Sequence, residues 1–144
     1  MPLINTKPVK NTRYFRARIL IIEDDEPTAS VLHDFFQMFG YECITIPFVV
    51  DIVDVTKDVK PSLIIMDYLL PKANGGEMCG RLKRDVALGQ IPVIICSAYN
   101  KEYLSLDKYL SDAFIAKPFD LDDLLYTVHR LLYKPNSYFP VVNV

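Results

Sequence analysis

Leu63-Ile64-Ile65-Met66-Asp67-Tyr68-Leu69-Leu70-Pro71-Lys72-Ala73-Asn74-Gly75-Gly76 is the stretch on which the fold turns. Its first four residues form an apolar run, long enough for a strand buried on both faces and too short for a helix. A carboxylate follows at once, then Pro71 and the turn cluster Asn74-Gly75-Gly76, which reads as loop. Asp67 therefore falls at the carboxyl end of a buried strand, where open α/β sheets place their ligands. Alone, such an Asp reads first as a helix cap after a core strand. The polar groups that end the other buried runs argue for more.

Upstream, Arg18-Ile19-Leu20-Ile21-Ile22 is a first buried strand that runs into Glu23-Asp24-Asp25-Glu26. Pro27 suits the first turn of a helix, where its missing N–H costs nothing, and the acids favour the positive end of that helix. Val31, Leu32, Phe35, Phe36 and Phe39 repeat at helical spacing until Gly40. Tyr41 to Ile46 reads as strand two. Phe48 to Val59 reads as a helix with Ile52, Val53 and Val55 facing inward.

Downstream of Asp67, Glu77 to Leu88 reads as a helix with Met78, Leu82 and Val86 on one stripe. Ile91 to Cys96 is a fourth apolar strand ending at Ser97. Lys101 to Leu110 reads as a weaker, polar helix. Ala113 to Ala116 is a short fifth strand ending at Lys117-Pro118. Asp120 then caps a last helix whose Leu121, Leu124, Leu125, Val128, Leu131 and Leu132 share a face. Strand alternates with helix five times, with connections too long for hairpins, which is the signature of a parallel sheet covered on both faces.

The 144 residues are 51% hydrophobic and 24% charged, the balance of one soluble globular domain. A net charge of −2 makes no general case for nucleic acid. Cys43, Cys79 and Cys96 lie in apolar segments without metal-ligand spacing, and read as buried reduced thiols. No apolar run reaches membrane-spanning length and no secretory core follows the N-terminal basic residues, so a cytoplasmic location and no membrane partner are expected. Residues 1–16 read as a flexible basic arm, with Lys7, Lys10, Arg13 and Arg16, residues 17–133 as the domain, and residues 134–144 as a C-terminal tail.

Glu23 and Asp24 end strand one, Asp67 strand three, Ser97 strand four and Lys117 strand five. In a parallel sheet these ends share one edge, with neighbouring strands about 5 Å apart. Three carboxylates so placed must either protonate or recruit a cation. Hard oxygen donors that leave room for water suit Mg²⁺. A Lys and a hydroxyl beside them suit an incoming phosphoryl group. Asp67 is then the candidate nucleophile, forming an acyl phosphate.

These residues resemble a known family, the receiver domains of two-component response regulators. Ile19 to Glu26 looks like the family's acidic-pair segment. Asp67 to Gly75 matches its phosphoacceptor motif, D-x-x-L-P-x-x-x-G. Ile91 to Ala98 matches the strand ending in the switch Thr or Ser, and Phe114 to Phe119 matches the aromatic-x-x-K-P-F signature. The separations of 43 from Asp24 to Asp67 and 30 from Asp67 to Ser97 are those of the family. The resemblance covers residues 17–133.

It implies a flavodoxin-like, doubly wound α/β domain with a five-stranded parallel sheet in the order 2-1-3-4-5. It implies a sensor histidine kinase or histidine phosphotransfer protein as donor to Asp67, and a downstream protein target. By the same resemblance Asp24, Asp67 and the backbone carbonyl of Leu69 ligate Mg²⁺, and Glu23 acts through water. Ser97 and Lys117 bind the phosphoryl group, and Phe114 turns inward when Ser97 moves. The domain is expected to stand alone and to be no enzyme beyond its own phosphorylation and slow dephosphorylation. Two other classes stay open. One is a metal-dependent phosphohydrolase with an Asp nucleophile, although Leu69 stands where such enzymes carry a second Asp. The other is a receiver-like interaction module that is never phosphorylated.

Two departures fall on the segment around the fourth helix. The spacing of 20 residues from Ser97 to Lys117 is shorter than the family's usual gap, and Leu110 stands where Gly is common. This shortened surface is not expected to support the family's symmetric dimer.

The side chains two residues after Asp67 and after Ser97 are Leu69 and Tyr99, which in this family flank the path of an attacking water. Neither can orient water, and both are bulky enough to exclude it. Slow self-dephosphorylation is expected. Leu69→Asn or Tyr99→Glu should speed decay of the phosphorylated chain several-fold, read by intact mass over time, and unchanged decay in both would rule out the blocking role.

Overall fold

The computed structural model describes residues 17–98 and 109–133. The expected N-terminal arm, the fourth helix as far as Lys108 (with Tyr99 ahead of it) and the C-terminal tail lie outside the described residues.

Strands β1 (Arg18–Ile22), β2 (Glu42–Ile46) and β3 (Leu63–Asp67) are followed by two short strands, β4 (Leu69–Leu70) and β5 (Ala73–Asn74), and then by β6 (Val93–Ser97) and β7 (Ala113–Ala116). The helices are α1 (Glu26–Met38), α2 (Ile52–Val59), α3 (Gly75–Lys83) and α4 (Leu121–Leu132). The main sheet is parallel throughout, in the order β2-β1-β3-β6-β7. With the small antiparallel β4–β5 pair set aside, this is the expected 2-1-3-4-5 order.

Burial explains which strands are central. β3 and β6 are buried at every residue, and Ile19 to Ile22 of β1 are fully buried. β2 and β7 form the edges and are only half-buried. Each fully buried Ile or Leu contributes about 1.5–3 kcal/mol, so the continuous apolar runs belong where both faces are covered. Alternation along each strand then divides the core in two. Ile19, Ile21, Leu63, Ile65, Ile94 and Cys96 face α1 and α4, where they meet Leu32, Phe36, Leu124, Leu125 and Val128. Leu20, Ile22, Ile64, Met66, Val93 and Ile95 face α2 and α3, with Ile52, Cys79 and Leu82.

Several expected boundaries shift, each for a local reason. α2 starts at Ile52 and not at Phe48, because the Asp51 carboxylate accepts the Val53 and Asp54 N–H groups and sets the N-cap there. α3 starts at Gly75, inside the expected loop, because Asn74 accepts the Glu77 N–H at 3.1 Å and caps the helix. It stops at Lys83 because the Asp85 carboxylate captures the N–H groups of Ala87 and Leu88 and turns the chain. Val86 therefore leaves the expected apolar stripe and is fully exposed, and Val31 on α1 is likewise exposed. Cys79 and Cys96 are buried as expected, while Cys43 on the edge strand is only half-buried.

The entry to β7 is anchored by Lys83. Its ammonium pairs with Asp112 at 2.5 Å and donates to the Ile91 carbonyl at 2.6 Å. Two residues before Asp112, Leu110 takes the left-handed conformation, φ 61°, with its side chain half exposed. That conformation costs an L-residue roughly 1–2 kcal/mol, against about 0.5–1 kcal/mol of extra chain entropy lost by glycine. Leu110→Gly should therefore be more stable than Leu110→Ala, which loses the same half-buried side chain but keeps the strain, by roughly 0.5–1 kcal/mol, read as a higher urea midpoint at unchanged m-value.

Candidate functional site

The parallel register brings the polar strand ends to one edge. Asp67 is the last residue of β3 and lies opposite Cys96, beside Ser97, the last residue of β6. Ser97 in turn pairs with Ala116, immediately before Lys117. Glu23 follows β1 directly, and its N–H donates to the Ile46 carbonyl at 3.1 Å. Glu23, Asp67 and Ser97 are all nearly inaccessible, while Asp24 stands in the open.

The four consecutive acids divide their tasks. Asp25 caps α1, accepting from the Thr28 N–H at 3.1 Å and from the Thr28 hydroxyl, which holds its carboxyl below the usual range. Glu26 opens the helix. The Asp25 N–H donates to Glu23 Oε1 at 3.2 Å and orients that carboxylate toward the sheet edge. Glu23 and Asp24 are left for the site. Together with Asp67 each offers one carboxylate oxygen, and the three atoms lie within 4.8 Å of one another. Octahedral Mg²⁺ holds its oxygen ligands roughly 3–4 Å apart, so the donor set fits that ion in type and in spacing.

Lys117 is the counterweight. Its Nζ lies 3.0 Å from Glu23 Oε2 and 3.3 Å from Asp67 Oδ2. Burial raises the Asp67 carboxyl above its ordinary range; Lys117 and the Leu69 N–H pull the other way without cancelling it, and Asp24 adds to the rise. Burial raises Glu23 as well, with Lys117 opposing and Asp67 adding. For Lys117 itself, burial alone would lower the value, but Glu23 and Asp67 outweigh it and the ammonium is held charged. Cys96, beside Asp67, is pushed up to about 12 by burial and is no nucleophile at neutral pH.

Gly75 closes the far side. A Cβ there would strike the Asp67 carbonyl, so only glycine lets the first turn of α3 rest on the end of β3. Phe114 is half-buried in the α2/α3-side core, in register with Ile95, two residues before Ser97 on the neighbouring strand. The Leu69 side chain is exposed at the rim. Of the site residues expected from sequence, all but Tyr99 are described; Glu23, Asp24, Asp67, Leu69, Ser97 and Lys117 gather at this edge, and Phe114 lies behind it in the core. Tyr68, Asn74, Gly76 and Tyr109, which form a connected group behind it, were missed. The signal was present for Asn74 alone, an Asn three residues before Glu77.

Comparison with known proteins agrees with this geometry. The family model described as the response regulator receiver domain matches residues 19–129, and the chain belongs to that family. It is 33% identical over 116 residues to the phosphate regulon transcriptional regulatory protein PhoB of Pseudomonas aeruginosa, covering 79% of this chain and 51% of PhoB. It is 29% identical over 116 residues to the polar-differentiation response regulator DivK of Brucella anthropi, covering 79% of this chain and 94% of DivK. The chain thus spans about half the length of PhoB and nearly all of DivK.

Among solved structures, the response regulator TrrA of Thermotoga maritima, in complex with Mg²⁺ and beryllium fluoride, superimposes with a TM-score of 0.71. Its identity is 25%, over 80% of this chain and 98% of that one. The signal receiver domain of a histidine kinase from Syntrophus aciditrophicus also gives 0.71, at 28% identity over 87% of this chain and 96% of that one. The chain is a receiver domain of the two-component type, with an acidic cluster in the place where such domains bind Mg²⁺. Among the described residues no helix is long and apolar enough to cross a membrane.

The raised carboxyls make a pH prediction. Between the ordinary carboxylate range and its raised value, Asp67 keeps its proton in the folded chain and loses it in the unfolded one. The folded chain then binds more protons, so stability falls as pH rises through that window. Asp67→Asn escapes this contribution. In metal-free buffer its stability advantage over wild type should grow from about pH 4 toward neutrality, and Mg²⁺ should shrink it. Urea denaturation across pH checks this; a pH-independent difference would contradict the burial effect.

Proposed function

We propose that Asp67 is the residue phosphorylated, and that a sensor histidine kinase or histidine phosphotransfer protein is the donor. The observation that carries this is the joint placement of Asp67, Glu23, Asp24 and Lys117. A nucleophilic carboxylate at a strand end touches one ammonium and faces two further acids within metal-ligand reach. An Asp67 carboxylate oxygen attacks phosphorus, the bond to the donor's imidazole nitrogen breaks, and the nitrogen keeps the electron pair. The reaction is a transfer, so no water is consumed and no oxidant is needed.

The other roles follow from position. Asp24, Asp67 and the Leu69 carbonyl would hold Mg²⁺, with Glu23 acting through a bound water. When bound, the ion would neutralise the carboxylates and the phosphoryl oxygens. Lys117, already between Glu23 and Asp67, would turn to a phosphoryl oxygen, and the Ser97 hydroxyl would donate to another. As Ser97 moved toward the phosphoryl group, Phe114 would follow into the space it vacates. Leu69 and Tyr99 would keep attacking water out. The output would be a changed contact with a downstream protein in the cytoplasm, and the chain itself would be no turnover enzyme.

Incubation with acetyl phosphate and Mg²⁺, followed by intact mass, tests this reading. One phosphoryl adduct is expected on wild type, none on Asp67→Asn, and strongly reduced labelling on Asp24→Asn, with weaker Mg²⁺ binding. Sustained release of inorganic phosphate would favour a phosphohydrolase, and no adduct at all an unphosphorylated interaction module.

A further inference from the structure

Tyr68, the residue after Asp67, has its backbone in the site and its side chain directed away from it. Its N–H donates to the Cys96 carbonyl at 2.8 Å, and its own carbonyl accepts the Gly75 N–H at 2.7 Å. Its ring joins Leu70, Tyr109 and Phe114 in the α2/α3-side core. There the Tyr68 hydroxyl accepts from Asn74 Nδ2 at 2.9 Å and lies 3.2 Å from the Tyr109 hydroxyl. The same Asn74 caps α3 through its other amide atom. One side chain thus holds both the helix start and the phenol.

Tyr109 belongs to the segment expected from sequence to be a polar surface helix, yet only 8% of it is exposed. Its ring stacks obliquely on Tyr68, with centroids 5.9 Å apart and planes at 49°. It also lies directly over Gly76, where a Cβ would come within 2.5 Å of the ring atom Cδ2. Three residues on, Asp112 is paired with Lys83 near the end of α3. The chain entering β7 is therefore fastened to the start of α3 through Tyr109 and to its end through Asp112.

We propose that Tyr109 is a positioning residue for the phosphoacceptor loop: through the Tyr68 hydroxyl it stabilises the conformation in which Lys117 bridges Glu23 and Asp67, and this restrains phosphoryl binding at Asp67. The proposal rests on the receiver function argued above. Tyr68 and Leu69 form the joint between Asp67 and α3, and the Leu69 N–H bonds the Asp67 carboxylate. A phosphoryl group on Asp67 is larger and more charged than the carboxylate, so this joint must re-form around it. Phe114 shares the cluster of the two tyrosines, so inward movement of its ring presses on the same contact. A hydrogen bond made in only one of two states biases the equilibrium between them about fivefold.

The test is titration of the full chain with beryllofluoride, an acyl-phosphate mimic, at saturating Mg²⁺. Tyr109→Phe keeps the ring and its packing and removes only the hydroxyl. It is expected to bind beryllofluoride about fivefold more tightly than wild type. A merely structural hydroxyl would lower the melting temperature and leave beryllofluoride affinity as in wild type; that result, or weaker binding, would overturn the proposal. Gly76→Ala, which must displace the Tyr109 ring, is expected to tighten binding likewise and replaces Tyr109→Phe should that variant not fold. Failure of wild type itself to bind beryllofluoride would overturn the phosphoacceptor reading and the positioning role with it. Binding by wild type with equal affinity in the variant would overturn the positioning role alone.

Discussion

Two carboxylates with little access to water, Glu23 and Asp67, share one ammonium, that of Lys117, at 3.0 and 3.3 Å. Burial makes both acids reluctant to ionise, and a single positive charge cannot neutralise two negative ones while Asp24 adds a third nearby. The edge of the sheet is therefore electrostatically incomplete. A cation and a phosphoryl group together would complete it: the ion would be drawn by the acids, and the phosphoryl oxygens by Lys117 and by the ion. The tension that makes the site useful is thus the same one that costs it stability when metal-free.

Such crowding survives only because the scaffold below it is rigid. β1, β3 and β6 are buried on both faces, and their register fixes Glu23, Asp67 and Ser97 side by side with no freedom to spread apart. Gly75 lets α3 close against the Asp67 carbonyl, and Asp25 spends its carboxylate on capping α1 and stays out of the acid cluster. The register and Gly75 remove ways for the acids to separate, and the Asp25 cap keeps a further charge from joining them.

Behind the site, polar groups run from Asp67 into the apolar core. The Asn74–Tyr68–Tyr109 group and the Lys83–Asp112 pair both end on the chain that enters β7. Phe114 packs in the same cluster. The two sides of the sheet are unequal in this respect. The α1/α4 side is nearly all aliphatic and aromatic packing, whereas the α2/α3 side carries the side-chain hydrogen bonds among Tyr68, Asn74 and Tyr109.

The amino-acid sequence by itself determined the five strands of the main sheet, their order along the chain and the chemistry at their ends, but not the short β4–β5 pair, which lies in the stretch read as loop. Runs such as Leu63 to Met66 can only be buried, and a carboxylate, hydroxyl or lysine directly after such a run must surface at the sheet edge. Asp120 as a helix cap was legible for the same reason, since capping is decided within a few residues. Tertiary structure decided what depends on distant partners. Helix boundaries at Ile52 and Lys83 are not of this kind: Asp51 and Asp85 bond N–H groups only two and three residues on, so both were open to a local reading, and Val86 lost its place on an apolar stripe when α3 ended early. Which acid pairs with Lys117, how far burial raises Asp67, and the burial of Tyr109 over Gly76 all rest on residues far apart in sequence. A tyrosine in a polar segment looks like surface until a glycine 33 positions earlier leaves room for its ring.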